Sequence, residues 1–179
     1  MTEAIGASLL AFAAFSARWN WWRKKAQGLP VPIYHKIGVP PRGARLRNLW
    51  ISPARFRRQL EYLKSRGYVS VTFSELAAVQ RGRGKLPKNP VLITFDDGYM
   101  NNYTDAFPVL RETGMKGNIF LVYDAIGKHN IWHNPDTEPW TDMLTWETAR
   151  EMLKSGLVEF GSHTMGHPNL KKIPVEQAA

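Results

Sequence analysis

The stretch VLITFDDGYMNNY at residues 91–103 joins an apolar run to a pair of acidic side chains. Five apolar or β-branched residues open it without interruption, as is typical of a strand buried on both faces of a parallel sheet. The run ends abruptly at Asp96, Asp97 and Gly98. Asp-Gly is also a standard turn pair, so taken alone this stretch fits a simple strand-ending turn equally well.

A second stretch, FGSHTMGHPNL at residues 160–170, repeats this arrangement with histidines. A short apolar run again stops, and His163 and His167 follow it, four positions apart. Taken alone, these two histidines could be ordinary loop residues. His129 and His133 share the spacing but lie in a polar segment with no strand ahead of them. We expect this other pair to be loop residues without a metal role.

Strands and helices alternate along the chain from residue 31 onward. The pattern predicts strands at 31–38, 68–72, 91–95, 116–122 and 158–161, and helices at 53–66, 74–79, 104–113 and 145–155. Such alternation predicts an α/β fold with helices outside a parallel sheet, either a barrel or an open sheet. In both architectures function collects at the carboxyl ends of the strands. The candidate residues at those ends are Asp96, Asp97, His163, His167 and His35.

The residue types at these strand ends suit a catalytic metal. Two imidazoles and one carboxylate leave an open coordination position, which is the pattern of a catalytic divalent metal site. Mixed nitrogen and oxygen ligands suit zinc first, and also cobalt, nickel or manganese. The remaining carboxylate can then act as a base on water, whose pKa such a metal lowers from about 15.7 towards 7. These groups together indicate hydrolysis of an amide or ester, but the spacing does not say which Asp does which job.

Composition bounds the class of protein. The chain has 179 residues, of which 44% are apolar, so one sizeable core and one domain are expected. Lys and Arg number 24 against 15 acidic residues, which gives a net charge of +9. That excess suits an anionic surface such as phospholipid, cell-wall polymer or nucleic acid, without selecting among them. Zero cysteines exclude a disulfide framework, a zinc ribbon and a thiol nucleophile.

The N-terminus differs from the rest of the chain. Residues 4–17 carry no charge and are almost entirely apolar, and tryptophans and then the basic run 23–25 follow them. The apolar run alone is shorter than the ~20 residues that span a bilayer. Extended through Trp22, it resembles an anchor with an aromatic belt and a basic flank. We predict that residues 1–25 form a membrane anchor or export segment; an ordinary packed helix is the alternative, and the side of the membrane stays open.

Four segments of the chain resemble a known family. TFDDGY at 94–99 and SHTMGHPNL at 162–170 resemble the first two signature motifs of the polysaccharide deacetylases, also called NodB-homology or carbohydrate esterase family 4 enzymes. PIYHKIG at 32–38 and the segment 143–164 resemble the same family, nearest its poly-N-acetylglucosamine deacetylase branch. The resemblance implies that residues 26–179 are the N-terminal part of a NodB-homology domain. It also implies a distorted (β/α) barrel, with only about the first five strands present.

The family resemblance further implies an activity and a set of roles. The implied reaction is metal-dependent removal of N-acetyl groups from an amino-sugar polysaccharide or glycolipid. Asp96 is implied as the catalytic base, and Asp97, His163 and His167 as the metal ligands. An N-acetylated glycan is therefore the expected partner, together with the membrane through the N-terminal segment, and no nucleic acid is expected. The expected location is the bacterial cell envelope, either membrane-associated or exported.

The chain also departs from the family pattern. The later family motifs, including the Leu-x-His that supplies the general acid, have no counterpart before residue 179. A barrel needs about eight strands. We therefore expect the front part of a longer protein, which alone is poorly soluble and nearly inactive. The alternatives are a non-catalytic carbohydrate-binding relative or inactive fragment, and a basic membrane- or nucleic-acid-associating module in which the Asp and His residues coincide by chance.

Two further residues are candidates for substrate binding. His35 follows the first predicted strand and could contact substrate, although a buried, hydrogen-bonded histidine is an equal alternative. Trp132 lies in the long polar stretch 123–144 and could stack against sugar rings, as could Trp140. Packing beneath that stretch is the alternative for both tryptophans. Trp146 begins a predicted helix, and we expect it to have a packing role.

Overall fold

The computed structural model describes residues 2–19, 28–174 and 176. The helices are α1 Thr2–Trp19, α2 Pro53–Ser65, α3 Phe73–Gln80, α4 Phe107–Thr113 and α5 Trp146–Lys154. The strands are β1 Ile33–Tyr34, β2 Lys36–Ile37, β3 Trp50–Ile51, β4 Val69–Ser70, β5 Pro90–Val91, β6 Thr94–Phe95, β7 Gly117–Leu121 and β8 Val158–Ser162. Every ladder that the structure describes between these strands is parallel.

The main sheet has the order β1-β6-β7-β8, and β2–β3 and β4–β5 form two shorter pairs. The strand predicted at 91–95 is divided between β5 and β6, and its partners change along its length. The Leu92 N–H donates to the Pro30 carbonyl at 3.0 Å, and the Ile93 carbonyl accepts from the Asn118 N–H at 2.8 Å. This run is therefore paired on both edges, as its uninterrupted apolar character predicts.

The structure also differs from the predicted elements elsewhere. The helix predicted at 104–113 consists of a π-helical turn at Asn102–Ala106 followed by α4. The strand predicted at 31–38 is broken at His35, because its first half pairs with β6 and its second half pairs with β3. Strand β3 lies between the predicted strand 31–38 and the predicted helix 53–66, where no strand is predicted. Helix α3 begins after Thr72 and not at Ser74.

Apolar side chains from the helices and the sheet form the core. Phe56 and Leu60 of α2 are fully buried, together with Phe95 of β6 and Leu110 of α4. The Phe56 and Phe95 rings meet edge to face, with centroids 5.7 Å apart. Burial of each such side chain contributes about 1.5–3 kcal/mol relative to exposure. This packing fixes the carboxyl end of β6, where the acidic pair begins.

Helix α1 covers most of the segment predicted to be an anchor. Among the helices that the structure describes, none is both long enough and apolar enough to cross a membrane. The tryptophans and basic residues at 20–25 lie outside the described residues. The assignment of residues 1–25 as an anchor or export segment therefore stays a prediction.

Candidate metal centre

The predicted ligands follow the ends of two strands of the main sheet. The Asp96 N–H donates to the Tyr34 carbonyl at 2.9 Å, and Asp97 comes next, beyond that last ladder bond. His163 directly follows β8, and its N–H donates to the Leu121 carbonyl at 2.8 Å. Because the strands are parallel and neighbours of β7, their carboxyl ends meet on one edge of the sheet.

Three side chains converge at this edge. The Oδ1 atom of Asp97 lies 3.3 Å from Nε2 of His163 and 3.3 Å from Nε2 of His167. One ligand atom from each residue can be chosen so that all three lie within 4.8 Å of one another. His129 and His133 do not belong to this group in the part of the chain that the structure describes. Asp97 is thus the carboxylate that converges with His163 and His167, the set that the family resemblance implies, and their role as ligands stays a prediction.

The distances fit a divalent metal. Asp97 is 4% exposed, and its Oδ1 atom has no hydrogen-bond partner among the described residues. A buried carboxylate oxygen without a partner is costly unless a cation satisfies it. Two ligand atoms at about 2.1 Å from a tetrahedral zinc lie roughly 3.4 Å apart, close to the separations between Asp97 and the two imidazoles.

The charges of Asp97 and His167 depend on one another. Burial raises the pKa of the Asp97 carboxyl, but its contacts with His167, Tyr99 and His35 outweigh burial and hold that pKa below its usual range. The Asp97 carboxylate in turn raises the pKa of His167 above its ordinary value, against the effect of burial. The Asp97 carboxyl is thus ionised at neutral pH.

The backbone is strained at the same place. Within the described ranges, the non-glycine residues with positive φ are Asp97 at 73°, Thr164 at 69° and His167 at 54°. Left-handed backbone costs a non-glycine residue about 1–2 kcal/mol. The turn that carries His167 is held by a hydrogen bond from the His167 N–H to Oγ1 of Thr164 at 3.0 Å. Two of these strained residues, Asp97 and His167, belong to the converging group, and strain that clusters in this way indicates a functional site.

The structure separates the two adjacent carboxylates. The Asp96 side chain is 25% exposed, whereas that of Asp97 is 5% exposed and faces the histidines. The Asp96 Oδ2 atom lies 3.9 Å from Nε2 of His35, at the break between β1 and β2. His35 is held there by its carbonyl, which accepts from Nδ2 of Asn102 at 2.8 Å. Asp96 and His35 thus line the open side of the site, although their roles stay predictions.

The long stretch 123–144 brings aromatic rings to the site. The Trp132 ring stacks on His167, with centroids 4.6 Å apart and planes 20° apart. One face of Trp132 therefore covers a candidate ligand, and its predicted contact with sugar is untested. Trp140 stacks on His129, and Trp146 meets Tyr123 edge to face.

Sequence reasoning missed a buried charge pair beside the site. Lys36 is fully buried, and its Nζ lies 3.8 Å from Oε1 of Glu138, over the rings of Tyr99 at 4.5 Å and Trp50 at 5.1 Å. Burial lowers the pKa of Lys36, while Glu138 and Asp97 act in the opposite direction. Glu138 lies in a polar segment, where a carboxylate ordinarily faces solvent. The only sequence signal is that Lys36 interrupts an apolar strand.

Comparison with known proteins gives consistent results. Residues 83–179 match the family model described as polysaccharide deacetylase. YxkH of Bacillus subtilis (strain 168) is 34% identical over 155 residues, which cover 86% of this chain and 48% of YxkH. A poly-β-1,6-N-acetyl-D-glucosamine N-deacetylase of Staphylococcus aureus (strain MRSA252) is 32% identical over 127 residues, which cover 71% of this chain and 41% of that protein. The solved structure of IcaB from Ammonifex degensii aligns with a TM-score of 0.61 and 32% identity, covering 83% of this chain and 60% of IcaB.

The chain is an α/β protein with a parallel sheet, consistent with part of a distorted barrel, and it carries a candidate metal centre. The chain belongs to the polysaccharide deacetylase family. It spans about half the length of the curated relatives it matches. The predicted family and fold class are thereby confirmed.

Proposed function

We propose that this chain carries the metal-binding part of a deacetylase that removes N-acetyl groups from an amino-sugar polysaccharide. The observation that carries the proposal is the convergence of Asp97, His163 and His167, with a second carboxylate at the open side. The name of the staphylococcal relative supports an N-acetylglucosamine polymer as the substrate.

The proposed roles follow from the two carboxylate environments. Asp97, His163 and His167 would hold one divalent metal, zinc first, with cobalt, nickel or manganese as the other candidates. When bound, that metal supplies polarisation of the acetamide carbonyl and a lowered pKa for water. Asp96 would accept the proton of the attacking water, because its carboxylate is partly open to solvent and directly precedes Asp97. The amide C–N bond then breaks, and the sugar nitrogen leaves as an amine after receiving a proton.

Metal analysis of purified variants tests the ligand set. We expect one divalent ion per chain in the wild type and in Asp96→Asn, and none in Asp97→Asn or His163→Ala. Measurement is by elemental mass spectrometry after dialysis against each candidate metal in turn. Loss of metal from Asp96→Asn would mean that the two carboxylates have exchanged roles, and a wild type without metal would refute the site.

Acetate release from N-acetylglucosamine oligomers tests the reaction. We expect metal-dependent release that Asp96→Asn abolishes while metal stays bound. Binding of metal and glycan without acetate release in any preparation would favour the non-catalytic alternative.

We also propose that the protein acts at the bacterial cell envelope, tethered through residues 1–25. The apolar, uncharged character of residues 4–17 and the basic residues after them support this location. Cell fractionation of the whole chain beside a version lacking residues 1–25 tests it. Equal recovery of both in the soluble fraction would contradict the tether.

A further inference from the structure

The stretch at residues 128–142, here called the covering segment, is tied down at both ends. The Met143 N–H donates to the Lys128 carbonyl at 3.0 Å, which closes the segment on itself. The Met100 N–H donates to the Asp142 carbonyl at 2.8 Å, which attaches it to the turn after the acidic pair. Hydrogen bonds therefore hold the ends of the covering segment in place beside the candidate metal centre.

Glu138 ties down the middle of the covering segment. This side chain is 4% exposed, and its Oε2 atom accepts from the N–H groups of Arg45 and Leu46 at 2.7 and 2.9 Å. Its other oxygen, Oε1, faces Nζ of Lys36 at 3.8 Å. Lys36 belongs to β2, so the segment is joined to the sheet through two buried charges.

The buried charges of Lys36 and Glu138 restrict the position of the covering segment. Lys36 lies between the rings of Trp50 and Tyr99, and Nζ has no hydrogen-bond partner among the described residues. Glu138 is the carboxylate that balances it at short range. Removing one partner of such a pair leaves the other charge buried and uncompensated, whereas removing both does not. The pair therefore favours one arrangement of the covering segment over others.

Trp132 is the residue that the covering segment brings to the metal centre. Its ring stacks on His167 with centroids 4.6 Å apart, and it also lies near His133 at 6.1 Å and Tyr99 at 6.4 Å. His167 lies in a surface turn with strained backbone, next to exposed Met165. A stacked indole is therefore a principal restraint on the plane of the His167 ring.

We propose that Lys36 and Glu138 form a buried lock on the covering segment, and that the locked segment uses Trp132 to orient His167 for metal binding. None of the three touches the metal; all are positioning residues of the kind that ligating histidines ordinarily need. This proposal rests on the proposed function, because the lock acts on the metal site that the proposed function requires.

Zinc affinity of the purified whole chain tests the stacking step, by competition with a chromophoric chelator. Trp132→Ala lowers the affinity about 10-fold, the lower end of the range for groups that orient ligands. Trp132→Phe keeps an aromatic ring and restores most of the affinity. Trp140→Ala is the matched control from the same segment and leaves the affinity unchanged. An equal loss in Trp140→Ala would show general loosening of the segment and overturn the role of Trp132.

A double-mutant comparison tests the lock. Lys36→Met combined with Glu138→Ala removes both charges, so no buried charge is left unpaired, and circular dichroism verifies the fold. This variant lowers zinc affinity about 10-fold in the wild-type background, as expected for loss of an orienting group. It lowers the affinity by less than 2-fold when Trp132→Ala is already present, because both changes act through one contact. Independent, multiplicative losses would overturn the lock.

The outcomes also separate this proposal from the proposed function. If the wild type binds zinc and Trp132→Ala binds it equally well, the lock and stacking proposal fails and the metal site stands. If the wild type binds none of the candidate metals, the proposed function and the lock both fail.

Discussion

At the scale of single residues, the backbone at Asp97 and Gly98 shapes the candidate metal centre. Both have positive φ, and this bend turns the chain out of β6 so that the Asp97 carboxylate meets the histidines. The turn packs closely against β7, because a Cβ atom on Gly98 would lie 2.5 Å from Cδ2 of Leu121. The carboxylate is thus placed by backbone shape as much as by side-chain contacts.

The variant Gly98→Ala tests that placement. We expect a loss of about 1–3 kcal/mol in the free energy of unfolding from left-handed strain, and a further loss from overpacking against Leu121. Zinc affinity should fall as well, because the neighbouring ligand shifts. Urea unfolding and the chelator competition measure the two effects.

Gly84→Ala is the matched control for this change. Gly84 has a φ of 78°, close to the 81° of Gly98, and its Cβ atom would meet no described atom within 4 Å. It should therefore show the strain without the overpacking. Equal destabilisation by the two substitutions would mean that the contact with Leu121 costs nothing.

At the scale of one element, helix α3 shows how a local sequence motif fixes the start of a helix. Thr72 Oγ1 accepts from the Glu75 N–H at 3.2 Å, and Glu75 Oε2 accepts from the Thr72 N–H at 2.8 Å. This is a capping box, which satisfies two backbone donors at the start of the helix. Ser74 lies one residue inside the helix and uses its backbone N–H to reach Glu159.

Thr72→Ala should therefore destabilise the protein, and Ser74→Ala should not. Loss of an N-cap side chain costs about 1 kcal/mol, whereas an exposed substitution away from such a feature stays within about 0.5 kcal/mol. Thermal or urea unfolding of the two variants distinguishes them. A larger effect from Ser74→Ala would show that the helix starts two residues later.

The ion pair between Glu75 and Lys116 predicts a dependence on pH. Burial raises the pKa of Glu75, but hydrogen bonds from Lys116 and Thr72 outweigh it and hold that pKa below its ordinary value. A carboxyl group whose pKa is lowered by folding stabilises the fold fully at pH values above its ordinary pKa. This contribution disappears as the pH falls through the lowered pKa. Lys116→Met should therefore cost about 0.2–1 kcal/mol near pH 7 for so exposed a pair. In urea unfolding at about pH 3 the difference between variant and wild type should shrink; a difference that grows in acid would contradict the pair.

The elements also show what sequence reasoning can reach. The strand ends and the histidine pair were predictable, because apolar runs and their stops are local patterns. The start of α3 was predicted wrongly at Ser74, although a local signal for the correct start exists, because Glu75 stands three residues after Thr72 as in a capping box. The pairing of Lys36 with Glu138 was not, because nothing local marks a glutamate in a polar loop as buried. Strand β3 is missed for the same reason: it exists only through its pairing with β2.

At the scale of the whole molecule, the candidate metal centre brings together residues that are distant in the sequence. Asp97 follows β6, the two histidines follow β8, and β7 lies between these strands in the sheet. An ion that binds all three residues binds the folded chain and has no equivalent site when the chain is unfolded. Metal binding should therefore raise the stability of the entire domain.

Zinc at 100 times its dissociation constant should add about 2.7 kcal/mol to the free energy of unfolding. For a chain of this length that corresponds to a rise of about 5–10 °C in the melting temperature. Differential scanning calorimetry with zinc, and again after a chelator is added, measures the rise and its reversal. Asp97→Asn should melt at the same temperature in both conditions. A similar rise in that variant would place the stabilising ion elsewhere.

The distance in sequence between Asp97 and His163 has a consequence for how the protein is made. Ribosomes add roughly 5–20 residues per second and release the N-terminal part first. The acidic turn therefore leaves the ribosome several seconds before β8 and its histidines have been translated. During that interval neither His163 nor His167 has been made. An ion held by all three residues can therefore stabilise the strained turn only after β8 and its histidines have been added to the chain.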